Sequence, residues 1–244
     1  MLLSVVLYGS RARGDNRATS DVDMLGIVEN GLLKREISAG GTSMYHYPVG
    51  LLLKDSADGN LFVLHVITEG KVLHDTLGCV DKIKDAFSFK ESYLDDIKDA
   101  SLIIEFLLAR KNILSRKDVR KRLVWAIRTI LIARAADQKK ALFSSNALAA
   151  FSKIPELKSA IDNRASNSSL DLINVASRVV KRFGLVKGAD FAWPTDKPSQ
   201  RQIMREQGGI VANTLRFVQP AALLKIQNRK NLVEANEDVA TYVG

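Results

Sequence analysis

The amino-acid sequence predicts an α+β protein in which a small mixed β-sheet domain precedes a mainly helical domain. Two short segments near the start, residues 2–8 and 22–28, are rich in Val, Ile and Leu and are bounded by turn-forming residues, which is typical of buried strands. From residue 49 onward the apolar residues recur mostly at helical spacing. We therefore predict a sheet domain over residues 1–80 and a helical domain over residues 90–244.

Two further strands are predicted after the first pair. The segment EISAGGTSMYHY, residues 36–47, contains two strand-like pieces on either side of Gly40–Gly41, a pair that is typical of a tight hairpin. Pro48 should end the second piece, because proline has no N–H to donate to a β-ladder.

Helices follow these strands. The first begins at Val49 and breaks at Asp58–Gly59, and the second ends near Gly70, a plausible C-terminal cap. His65 lies in the second of these helices, where we expect a packed core side chain rather than a ligand.

The second domain contains a helix whose apolar stripe repeats about every 3.6 residues. Further helices are predicted over residues 93–109 and 170–183, and Asn146 is the predicted N-cap of another. The stripe itself consists of Val119, Leu123, Ile127, Ile130 and Leu131.

The composition indicates a cytoplasmic protein. Cys79 is the only cysteine, so neither an internal disulfide nor a cysteine zinc cluster can form. No apolar run approaches the roughly 20 residues of a membrane helix, and the N-terminus lacks the features of a signal peptide. We therefore expect no membrane partner.

The positive charge of the chain is concentrated in one segment. Residues 110–140 hold eleven Lys or Arg against two Asp, a surplus of nine that equals the net charge of +9 for the whole protein. A localised basic surface is typical of proteins that bind a polyanion such as RNA. The candidate nucleic-acid contacts are Arg116, Lys117, Arg120, Lys121 and Arg128.

The most informative pattern links the two predicted N-terminal strands. Gly9–Ser10 ends the first strand, ten residues follow, and Asp21 and Asp23 open the second. Alternate residues of a strand point to the same side, so the two carboxylates should face together with their Cα atoms about 6.6 Å apart. Such a pair suits Mg²⁺, which prefers hard oxygen ligands and is commonly held by carboxylates together with substrate phosphates.

The residues between these two pairs suit the same chemistry. Gly9 would let the backbone approach a phosphate, and the Ser10 hydroxyl would donate a hydrogen bond to it. Arg11 and Arg13 could neutralise further phosphate charge.

This pattern, GSRARG followed by SDVDMLGIV, resembles the polymerase-β-like nucleotidyltransferase superfamily, and most closely its minimal, antitoxin-type branch and the kanamycin-type nucleotidyltransferases. The resemblance implies that Gly9 and Ser10 bind a nucleoside triphosphate and that Asp21 and Asp23 are catalytic and hold Mg²⁺, or Mn²⁺ in its place. It also implies that residues 60–75 form a helix and a closing strand. The implied reaction transfers a nucleoside monophosphate and releases pyrophosphate.

The sequence departs from the family pattern in two respects. Members of the family normally carry a third carboxylate on a later strand, whereas TSMYHY contains no acid. Ser43 lies near the expected position, and strand alternation turns His46 to the other face. Glu36 or a partner protein would have to supply the missing acid. Relatives also have a helix before the first strand, so a second copy or a partner would complete the nucleotide pocket, which predicts a homo- or hetero-oligomer.

Three functions are consistent with these observations. The first is transfer of a nucleotide, with ATP or CTP as donor, to an RNA end such as that of tRNA or to a hydroxyl of a partner protein, in a bacterial toxin–antitoxin or phage-defence setting. The second is a nucleotide-binding regulatory module that has lost turnover. The third is modification of an aminoglycoside, which fits poorly because a polycationic substrate needs an acidic pocket.

Overall fold

The computed structural model describes residues 1–16, 20–38, 42–109, 117–163 and 169–185, together with Asp196, Ser199, Gln202 and Val211. The described residues form two compact units, one over residues 1–91 and the other from Ser92 onward. The first combines a sheet with helices and the second is helical, so the α+β prediction is confirmed. None of the helices in the described part of the chain combines the length and apolar composition of a bilayer-spanning segment.

The sheet of the first unit has five strands, in the spatial order β3-β4-β2-β1-β5. Strands β2 and β4 are parallel, and every other neighbouring pair is antiparallel. The two predicted N-terminal strands match β1 and β2 residue for residue, whereas the predicted Gly40–Gly41 turn lies outside the described residues. The strands are β1 (Leu2–Tyr8), β2 (Val22–Val28), β3 (Lys34–Ser38), β4 (Thr42–Pro48) and β5 (Lys71–Asp75).

One face of this sheet forms the core of the first unit. Its alternating inward side chains are buried, and Phe62 packs against two of them, with ring centroids 5.5 Å from Tyr8 and 6.0 Å from Tyr47. The helices of the unit are α1 (Ser10–Arg13), α2 (Val49–Ala57), α3 (Leu61–Glu69) and α4 (Cys79–Asp85). The strand residues of the buried face are Val6, Tyr8, Leu25, Ile27, Tyr45 and Tyr47.

The turn from α3 into β5 depends on Gly70. A Cβ atom at this position would lie 2.3 Å from the carbonyl oxygen of Val66 and 2.7 Å from a methyl group of Val6. Only glycine fits such a gap, so the end of α3 is seated directly on the middle of β1. Asn60 is the N-cap of the same helix, because its side-chain oxygen accepts hydrogen bonds from the amides of Phe62 and Val63.

The second unit is built around one long helix, α6, which is contacted by α5, α7 and α9. All five residues of its predicted apolar stripe are fully buried, which confirms that prediction. The cap of α7 differs from the prediction, because the side chain of Ser144 and not that of Asn146 accepts the hydrogen bond of an amide in the first turn. The helices are α5 (Leu94–Leu108), α6 (Lys117–Asp137), α7 (Ser145–Ser152), α8 (Leu157–Asp162) and α9 (Ser169–Phe183).

Candidate functional site

The Gly9–Ser10 turn lies directly beside one of the two predicted carboxylates. Gly9 has φ 77° and ψ −158°, a conformation that is almost restricted to glycine and that costs other residues roughly 1–3 kcal/mol. A Cβ atom at Gly9 would lie 3.4 Å from Oδ2 of Asp23. The sheet register explains this proximity, because Tyr8 of β1 is paired with Asp23 of β2. The turn predicted to hold phosphate and the carboxylate predicted to hold metal therefore lie next to each other, where β1 ends and β2 begins.

The other oxygen of Asp23 is held by a serine. Ser43 of β4 is the register partner of Asp23, and its hydroxyl donates a 2.9 Å hydrogen bond to Oδ1. Ser43 is 4% exposed, so its hydroxyl lies behind the carboxylate and is shielded from solvent. The Asp23 carboxylate thus has one oxygen oriented by β4 and the other directed toward Gly9.

Asp21 completes the pair of acids at the start of β2. It is exposed, and no hydrogen bond or ion pair to its carboxylate is found among the residues that the structure describes. One free carboxylate and one oriented carboxylate are a suitable donor set for Mg²⁺, which completes its coordination with water and phosphate oxygens. The described residues contain no group of three or more His, Cys, Asp or Glu side chains that could hold a metal ion.

Glu36 does not supply a third carboxylate to this site. It is paired with Met44 on β4, one residue away from Ser43 and therefore on the opposite face of the sheet. Its carboxylate lies 2.7 Å from Nζ of Lys34 and 3.2 Å from Nε2 of His46. His46 faces away from Ser43, as strand alternation predicts.

The two arginines of α1 make contacts within the protein. Arg11 donates from Nε and Nη2 to the carbonyl oxygen of Ser20, at 3.2 and 2.8 Å. Arg13 donates from Nη1 to Glu69 at 2.7 Å and from Nε to the carboxylate of Asp15. Burial lowers the pKa of Arg13, but its hydrogen bonds to Glu69 and Asp15 outweigh that effect and raise the pKa above its ordinary value.

His65 is a core residue, as predicted. It is 1% exposed, its ring packs edge-on against Tyr8, and its Nε2 lies 3.0 Å from Oε2 of Glu69. Glu69 was not predicted from the sequence as a site residue, although one signal for it is present. An acid four residues after a histidine, at the end of an otherwise apolar helix, is placed to contact that histidine.

The basic residues proposed to contact nucleic acid do not all lie on a surface. Arg128 is 5% exposed and donates from Nη2 to the carbonyl oxygen of Phe143, so it cannot contact a nucleic acid from solvent. Lys121 is exposed, whereas Arg120 is half-buried and has a partner. Arg116 and the side chain of Lys117 lie outside the described residues.

Comparison with known proteins agrees with the N-terminal motif. Residues 2–98 match the family model described as a nucleotidyltransferase domain. A solved structure of a nucleotidyltransferase-like protein from Exiguobacterium sibiricum 255-15 aligns with 98% of this chain and 82% of its own, at 12% sequence identity and a TM-score of 0.32. No curated protein matches the chain.

The family match covers the entire sheet and the Gly9–Ser10 and Asp21–Asp23 positions. It confirms the resemblance of the segment GSRARG…SDVDMLGIV to the nucleotidyltransferases at the level of the superfamily. Residues 2–98 of this chain are a nucleotidyltransferase domain.

Proposed function

We propose that the protein transfers a nucleoside monophosphate from a nucleoside triphosphate, ATP or CTP, to a macromolecular acceptor. The observation that carries the proposal is the proximity of the Gly9 turn to the Asp23 carboxylate, since a Cβ atom at Gly9 would lie 3.4 Å from Oδ2 of Asp23. A phosphate bound at the turn would lie next to any cation held by Asp21 and Asp23. Such an arrangement is what phosphoryl-type transfer needs, because catalysis there depends mainly on positioning and charge neutralisation.

Each residue of the site has a role in this proposal. The Gly9 backbone and the Ser10 hydroxyl bind the triphosphate, and Asp21 and Asp23 hold Mg²⁺ or Mn²⁺. When bound, the cation would neutralise phosphate charge and orient the leaving pyrophosphate. Ser43 fixes the orientation of the Asp23 carboxylate through its hydrogen bond.

The observations favour a protein hydroxyl over an RNA end as the acceptor. The RNA version depends on the basic segment, and within it Arg128 is buried while Arg120 has a partner. The motif resemblance to the antitoxin-type branch favours a partner protein, in a bacterial toxin–antitoxin or phage-defence setting. Salt dependence distinguishes the two, because binding to RNA weakens steeply as salt is added.

A second candidate is a nucleotide-binding regulatory module without turnover. The observation in its favour is Ser43, which occupies the position beside Asp23 where the family pattern has a third carboxylate. A serine hydroxyl cannot act as a metal ligand of comparable strength or as a general base near neutral pH.

The deciding experiment is a transfer assay with each of the four α-³²P-labelled nucleoside triphosphates in turn. The acceptors are total RNA, the protein itself and the protein encoded next to it, and the Asp21→Asn/Asp23→Asn double variant is the control. Label that appears on one acceptor and is lost in the double variant supports the transferase. Tight nucleotide binding without label on any acceptor supports the regulatory module instead.

A further inference from the structure

The arginine nearest to the phosphate-binding turn is bonded to the segment that carries the metal-binding acids. Arg11 follows Ser10 directly, and its Nε and Nη2 both donate to the carbonyl oxygen of Ser20. Ser20 is the residue immediately before Asp21. A planar guanidinium that donates twice to one oxygen restricts both the distance and the direction between the two segments.

The next arginine fixes the other side of the same short helix. Arg13 and Glu69 are each 16% exposed, and their charge-assisted hydrogen bond is 2.7 Å long. Glu69 lies at the end of α3, which Gly70 seats on β1. The helix α1 is thereby tied to the core on one side and to the Asp21 segment on the other.

We propose that Arg11 is a positioning residue that couples the phosphate-binding turn to the carboxylate pair, and that it does not bind phosphate. The proposal rests on the nucleotidyltransferase function proposed above. Nε and Nη2 each donate one N–H to Ser20, so a phosphate that bound across these two nitrogens would have to release the backbone that precedes Asp21. Arg11 therefore acts through Asp21 and Asp23 and contributes to metal affinity.

A comparison of nucleotide binding with and without metal tests this proposal. The full-length protein, Arg11→Lys and Arg11→Ala are titrated with ATP, CTP, GTP and UTP in EDTA, and the tightest ligand is then used for a Mg²⁺ titration. Lysine keeps the charge but cannot make the two-nitrogen contact. Arg178→Lys, which changes an exposed arginine of α9, is the matched control, and thermal denaturation checks that each variant is folded.

For a positioning residue, metal-free affinity should stay within twofold of the unsubstituted protein in both Arg11 variants, while the Mg²⁺ concentration at half-saturation should rise about 10–100-fold. Turnover should then fall with little change in KM, and added guanidinium should partly restore the turnover of Arg11→Ala.

A tenfold or greater loss of metal-free affinity in Arg11→Ala, with an unchanged Mg²⁺ midpoint, would make Arg11 a phosphate ligand and overturn the proposal. An unchanged metal-free affinity together with an unchanged Mg²⁺ midpoint in both Arg11 variants would also overturn the proposal. If the unsubstituted protein itself shows no Mg²⁺-dependent nucleotide binding, the proposed nucleotidyltransferase function is contradicted. That outcome differs from the two that overturn only the role of Arg11.

Discussion

At the scale of single residues, the hydrogen bond from Ser43 to Asp23 sets the character of the site. The bond holds Oδ1 of Asp23 in place while Oδ2 faces Gly9. A net contribution of about 1.5–3 kcal/mol is typical of a hydrogen bond to a charged group, and losing it in the transition state would slow the reaction roughly 10–150-fold. We expect Ser43→Ala to lower turnover at saturating nucleotide by about that factor. Ser43→Thr, which keeps the hydroxyl, should retain most of the activity, and equal losses in both variants would contradict this role.

Replacing the same serine with an acid tests for a cation without requiring turnover. In Ser43→Asp, two carboxylates would face each other on neighbouring strands and repel, so the melting temperature of the first unit in EDTA should fall by about 4–8 °C. Saturating Mg²⁺ should restore most of this loss, because the new carboxylate would then have a cation to face. Ser43→Asn has a similar size without the charge, and differential scanning fluorimetry should show no comparable Mg²⁺ response for it. An equal rise in melting temperature on addition of Mg²⁺ in Ser43→Asp and Ser43→Asn would argue against a metal at this position.

At the scale of elements, α3 depends on its cap. Asn60 accepts hydrogen bonds from two amides of the first turn, and the cap-to-alanine change typically costs about 1 kcal/mol. We expect Asn60→Ala to lower the free energy of unfolding by that amount in urea denaturation. Asn146→Ala is the matched control, because Asn146 is an exposed residue of α7 whose N-cap is Ser144. A loss of similar size in the control would show that the effect is not one of capping.

Helix α5 carries an acid whose charge opposes folding. Burial, together with the smaller effects of the Asp96 and Asp95 charges, raises the pKa of Asp99 to about 6, and Lys98 partly opposes this rise. The folded protein therefore holds this proton at pH values where the unfolded chain, with an ordinary pKa near 3.8, has released it. The resulting loss of stability develops as the pH rises from about 4 to about 6 and is constant above that range.

Removing this charge should stabilise the protein only at the higher pH values. We expect Asp99→Asn to raise the free energy of unfolding at pH 7.5 by on the order of 1–2 kcal/mol after allowance for solvent screening. The gain should disappear near pH 4, where both the folded and the unfolded chain carry the proton. Urea denaturation between pH 4 and 7.5 measures it, with the exposed Asp85→Asn as control. A gain that does not depend on pH would contradict the assignment.

At the scale of the whole molecule, the two units have separate cores. The first is centred on the sheet and Phe62, and the second on α6. We expect differential scanning calorimetry to resolve two transitions, with Mg²⁺ and the bound nucleotide raising only the one that contains residues 1–91. Asn60→Ala should lower that same transition, whereas Ser144→Ala, which removes the cap of α7, should lower the other. A single transition shifted by both variants would mean that the units unfold together.

The sequence predicted those parts of the molecule that local patterns determine. Strands β1 and β2 could be assigned residue for residue, because each is a short apolar run bounded by turn residues. The orientation of His46 away from Ser43 followed from strand alternation, whereas the place of Ser43 near the carboxylates was implied by the family resemblance. In each of the predictions made from a local pattern, the residue is placed by the periodicity of its own strand. The site lies where β1 ends and β2 begins.

Other features depend on contacts between distant residues, which local patterns do not encode. Arg128 was predicted to contact nucleic acid because it lies in the basic segment, yet α6 is surrounded by three helices and buries almost its entire circumference. Arg13 was predicted to neutralise phosphate charge, and its contact with Glu69, 56 residues further along the chain, was not predicted. An arginine in a loop has many candidate partners, and only the tertiary structure selects one.

The strand order also has a consequence for synthesis on the ribosome. β1 is made first and pairs with β2 on one edge, but its other edge is covered only when β5 has been made, about 60 residues later. At a synthesis rate of about 5–20 residues per second, the nascent chain exposes that edge for roughly 3–12 s. A strand with the sequence LLSVVLY and one open edge is prone to pair with another chain, so the yield of folded protein should depend on how quickly translation reaches residue 75.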